Sequence, residues 1–64
     1  DPVIIAESVR EVRDLSVGQA VMQLDLTEQA FLVFRHAGTG AINIVYRRDD
    51  GNVGWINPEE PSGN

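Results

Sequence analysis

Residues 31–56, FLVFRHAGTGAINIVYRRDDGNVGWI, constrain the fold more than any other part of the chain. They read as three strands joined by two tight turns. Aromatic and β-branched residues crowd 31–34, 42–46 and 53–56, and glycine-bearing turns separate them. All three strands are apolar on both faces, whereas a sheet with one wet face alternates apolar and polar residues. Each face therefore needs a cover.

The chain offers one helix for that purpose. Ser16 and Gln19 form an S-x-x-Q capping box, which satisfies two orphan backbone N–H groups and predicts a helix from Ser16 to about Leu26. Val17, Ala20, Val21 and Leu24 fall on one stripe at helical spacing, and Met22 and Leu26 lie off it. One stripe covers one sheet face. Gly18 near the helix start costs up to about 1 kcal/mol relative to alanine, so packing on the sheet has to hold the helix in place.

Turn chemistry sets the register. Ala37-Gly38-Thr39-Gly40 supplies one turn with two glycines free to take positive φ, and Asp50-Gly51 suits a type I′ hairpin. Centring antiparallel hairpins on these turns puts Val33 opposite Ile44, Phe31 opposite Tyr46, and Tyr46 opposite Trp55. One face then collects Phe31, Val33, Ile42, Ile44, Tyr46, Val53 and Trp55. The other collects Leu32, Phe34, Val45 and Ile56, which matches the helix stripe in size and is assigned to the core. The larger aromatic set is left without a cover and is the expected dimer interface, with Arg35 and Arg48 at its rim and Arg47 pointing to the helix side. An alternative cover is the amino-terminal segment, whose weak alternation predicts an edge strand within residues 4–13. The domain expectation is a linker remnant over 1–3, a dimerisation domain over 4–57 and a disordered tail over 58–64.

Composition narrows the chemistry. A chain of 64 residues with no cysteine and one histidine lacks the disulfide or metal staple common in small domains, which leaves oligomerisation. Ten acidic residues against five arginines and no lysine give a net charge of -5, which argues against direct nucleic-acid binding. No run approaches a membrane span, so no membrane partner is expected and the cytoplasm is the expected location. Gly38-x-Gly40 leads into a strand instead of opening a helix, so a nucleotide-binding loop is excluded. His36 reads as a solvent-facing turn residue. Asp49, Asp50, Glu59 and Glu60 read as turn and solubility residues. No catalytic constellation can be composed, and neither an enzyme activity nor a cofactor or metal is expected. The chain begins with Asp1 in place of methionine, which predicts a piece of something longer.

The motifs S-V-x-x-A-V-x-Q-L (16–24), F-L-V-F-R (31–35) and I-N-I-V-Y-R-R-D-D-G-N-V-G-W-I (42–56) resemble the carboxy-terminal domain of the long form of ribosome hibernation promoting factor, in the sigma-54 modulation protein family. Tyr and Leu are usual in that family where Val53 and Trp55 stand here. The resemblance implies an α+β fold in which one helix packs on a small, mainly antiparallel four-stranded sheet in the order β-α-β-β-β, dimerising through the sheet. It implies a homodimer partner, a missing amino-terminal domain that engages the ribosome, and pairing or preservation of inactive ribosomes under stress. Phe31 and Tyr46 match the family's self-association positions. The alternative function is an adaptor that docks on a ribosomal protein of a single ribosome.

Overall fold

A computed structural model describes residues 5–58. The expectations for residues 1–3, and for the tail from residue 59 onward, lie outside the described residues. The elements are β1 (Asp14–Leu15), α1 (Val17–Asp25), β2 (Phe31–His36), β3 (Ile42–Arg47) and β4 (Val53–Ile56). They form one sheet in the order β1-β2-β3-β4, in which β1 runs parallel to β2 and the remaining pairs are antiparallel. The β-α-β-β-β expectation is met, with a mixed, mainly antiparallel sheet.

Helix α1 starts where the capping box puts it. Ser16 Oγ accepts the Gln19 N–H at 3.1 Å, and Gln19 Oε1 accepts the Ser16 N–H at 2.9 Å. Ala20 and Leu24 are fully buried, and Val17 and Val21 pack beside them, while Met22 and Leu26 face outward. The other end of the helix is held from the sheet. Its last turn carries no basic residue; instead Arg47 of β3 donates from Nη2 to the carbonyls of Leu24 (2.6 Å) and Thr27 (2.7 Å), and from Nε to Gln29 (2.9 Å). A cation there satisfies orphan carbonyls and opposes the negative end of the helix dipole.

The expected edge strand within residues 4–13 is not formed among the described residues of that range. Pairing begins only where Arg13 offers its carbonyl to the Arg35 N–H at 2.8 Å, and β1 spans just Asp14–Leu15. The physical reason is burial. Leu15 is the first side chain to reach the core, and Ser16 starts the helix immediately after it, whereas residues 5–13 are exposed throughout.

The β2–β3 register is the expected one, with Phe31 opposite Tyr46 and Val33 opposite Ile44. Of the two turn glycines only Gly40, at φ 77°, takes the left-handed conformation. The β3–β4 register differs by one residue: Val45 pairs with Trp55, Tyr46 with Gly54 and Arg47 with Val53. The cause is the loop. Gly51 donates to the Arg48 carbonyl at 3.0 Å and Arg48 donates to the Asn52 carbonyl at 2.7 Å, with positive φ at Gly51 (87°) and at no non-glycine residue. This is a three-residue loop, a type I turn followed by a glycine bulge. A type I′ turn would instead force Asp50 to positive φ. One extra loop residue exchanges the faces of β4.

The core lies between α1 and one sheet face. It comprises Leu15, Ala20, Leu24, Phe34 and Val45, flanked by Leu32 and Val53.

Candidate functional site

The sheet face away from α1 carries two cross-strand rows. Val33, Ile44 and Ile56 form one; Phe31, Tyr46 and Gly54 form the other, with Ile42 beyond them opposite Arg35. Phe31, Ile42 and Ile56 are 38%, 39% and 45% exposed, and Val33, Ile44 and Tyr46 are half-buried. The ring of Tyr46 lies flat over Gly54, where an added Cβ would overlap it. Glycine at that position lets the aromatic ring become part of the floor of the face.

Five residues of the expected interface thus share this face: Phe31, Val33, Ile42, Ile44 and Tyr46. Val53 and Trp55 do not. The three-residue loop turns them to the helix side and brings Ile56, expected in the core, onto the open face. Arg35 stands at one end of the face, donating to the Gly40 carbonyl at 3.1 Å and lying 3.5 Å from Asp14. Arg48 sits in the β3–β4 loop, 3.4 Å from Asp50. Both pairs are exposed and contribute little to stability.

On the helix side Trp55 does polar work that the sequence reading missed. Its indole N–H donates to Asn43 Oδ1 at 2.8 Å, and Asn43 is fully buried. The ring also stacks on His36, centroids 6.1 Å apart, so His36 is a half-buried strand end and not a free turn residue. Its Nδ1 accepts the Gly38 N–H at 2.9 Å. A signal for this register was present: Asn43 alternates with core residues and needs a donor, and Trp55 supplies one only in the observed pairing. Trp55→Phe keeps an aromatic ring, smaller than the indole, and removes the donor. It is expected to lower stability by about 1–3 kcal/mol in urea unfolding followed by circular dichroism. A loss within error would mean that Asn43 finds another donor.

Asp50 behaves as turn chemistry, with Oδ1 accepting the Asn52 N–H at 3.0 Å. Among the described residues there is no pocket and no cluster of three metal-ligating side chains.

Fold and face define a class: a two-layer α+β domain in which one helix backs a mixed four-stranded sheet and the second sheet face is left open among the described residues. Within that class the chain belongs to the family described as "Sigma 54 modulation/S30EA ribosomal protein C terminus", which matches residues 1–54. It is 56% identical over 57 residues to the ribosome hibernation promotion factor of Bradyrhizobium diazoefficiens, covering 89% of this chain and 28% of that protein. It is 53% identical over 55 residues to the factor of the same name from Rhizobium meliloti, covering 86% and 29%. A chloroplastic ribosome-binding factor of Spinacia oleracea is 38% identical over 94% of this chain and 21% of its own length. The chain therefore spans less than a third of the relatives it matches. The resemblance carried by the three motifs is borne out, and the family is one of regulatory ribosome factors, not enzymes.

Proposed function

We propose that the open sheet face is a self-association surface and that this chain is the dimerisation module of a ribosome hibernation factor. Two copies meet face to face through Phe31, Val33, Ile42, Ile44, Tyr46 and Ile56, with Arg35 and Arg48 at the rim. Such a contact is isologous, each patch meeting its own copy. The observation that carries the reading is the uncovered apolar face itself, on a sheet whose other side packs Phe34 and Val45 against α1. The relatives are named for ribosome hibernation or ribosome binding. On this reading the ribosome is engaged by another part of the longer protein, and joining two copies holds two inactive ribosomes together in the cytoplasm under stress.

The magnitudes are adequate. Burying roughly 300 Å² of apolar surface per copy at about 25 cal/mol per Å² contributes on the order of 15 kcal/mol for the pair, against association and ordering costs of about 4–15 kcal/mol. Sedimentation equilibrium is expected to give a dimer at tens of micromolar. Phe31→Ala is expected to raise the dissociation constant on the order of a thousandfold, since a contact of about 2 kcal/mol is lost from each of the two copies. A monomer at those concentrations would sink the proposal and favour docking on a protein of a single ribosome.

A further inference from the structure

The amino-terminal segment reaches the open face at Phe31. Arg10 places its guanidinium carbon 5.1 Å from the centroid of the Phe31 ring and donates from Nη1 to Gln29 Oε1 at 3.2 Å. A cation over an aromatic face is held by the ring quadrupole. Among the described residues no other side-chain hydrogen bond or ion pair holds residues 5–12. Ile5 and Val9 are 84% and 92% exposed, so the segment buries neither of these side chains. Its first anchored point is Arg13, through the hydrogen bond to Arg35. Asp14 stands abreast of Arg35 in the parallel register, and stepping back four residues on both strands sets Arg10 abreast of Phe31. The arginine therefore reaches the ring from the place where β1 would have continued.

We infer that residues 5–13 act as a latch on the association face. The Arg10 guanidinium and the sheet of a second copy compete for the same ring of Phe31, so the segment has to lift before the partner seats. The inference rests on the self-association reading of that face. The closed state is held through one guanidinium with two contacts, while Ile5 and Val9 have little apolar burial to lose on opening. Tension along the chain ahead of Arg10 would draw the latch off and increase the fraction of domains competent to pair.

Sedimentation equilibrium on the native chain, Arg10→Ala and Gln29→Ala tests this, with circular dichroism confirming that each is folded. Two latches open per dimer, so Arg10→Ala is expected to lower the dimer dissociation constant roughly five- to thirtyfold. Gln29→Ala, which removes only the hydrogen bond, is expected to lower it by a smaller factor. A constant that is unchanged or raised in Arg10→Ala overturns the latch and leaves the dimer standing. Monomers throughout, variants included, overturn the reading of the face and the latch with it.

Discussion

Phe34→Ala is expected to leave the chain unfolded at 25 °C. Phe34 is the largest of the fully buried side chains, in a core of five buried apolar residues among those described. Truncating a buried phenylalanine costs about 3–5 kcal/mol, through lost transfer energy and the cavity left behind. A single core in a domain this small rarely supplies more than about 3–5 kcal/mol in total, and the chain has no cysteine with which to restrain the unfolded state. The cost is thus comparable to the whole stability. Far-UV circular dichroism at low protein concentration should show the loss, since dimer formation at high concentration would add stability by mass action. A cooperative urea transition weakened by less than about 1 kcal/mol would mean that the core had collapsed around the gap.

Gly54→Val is expected to separate folding from association. Valine favours a strand, but its Cβ would overlap the Tyr46 ring. A single copy can let Tyr46 swing outward at a cost of about 1–3 kcal/mol. In the proposed face-to-face pair two copies cannot, because the displaced ring would stand where the partner's sheet would lie. Circular dichroism should therefore report a folded, somewhat weaker domain, while sedimentation equilibrium gives a dissociation constant raised about a hundredfold or more. Native-like self-association in this variant would show that copies meet elsewhere.

What could be read from the sequence was whatever had a local chemical cause. The capping box placed α1 because Ser16 and Gln19 satisfy each other within one turn. The β2–β3 register followed from the turn ending at Gly40, and five of the seven expected face residues lie together as a result. Two features were not local. Asp50-Gly51 is compatible with a two-residue or a three-residue loop, and the choice is expressed in the positions of Val53, Trp55 and Ile56. The fit of Tyr46 over Gly54 and the demand of buried Asn43 for the Trp55 donor both agree with the longer loop, and both act across strands. The start of β1 was likewise set by Leu15 reaching the core, which alternation within residues 4–13 does not encode. Arg47 was placed on the correct side, but its service to three carbonyls depends on how the chain returns after α1.

The three-residue loop between β3 and β4 also bears on how sequences of this fold can diverge. Surface loops ordinarily absorb insertions and deletions at little cost. Here a one-residue slip of the β3–β4 pairing, as a two-residue turn would impose, would carry Trp55 away from Asn43 and set its bulk against Tyr46, whereas residues added within the loop leave every β4 side chain on its own side as long as Arg47 still pairs with Val53. Length variation at this site is filtered by whether the pairing survives it.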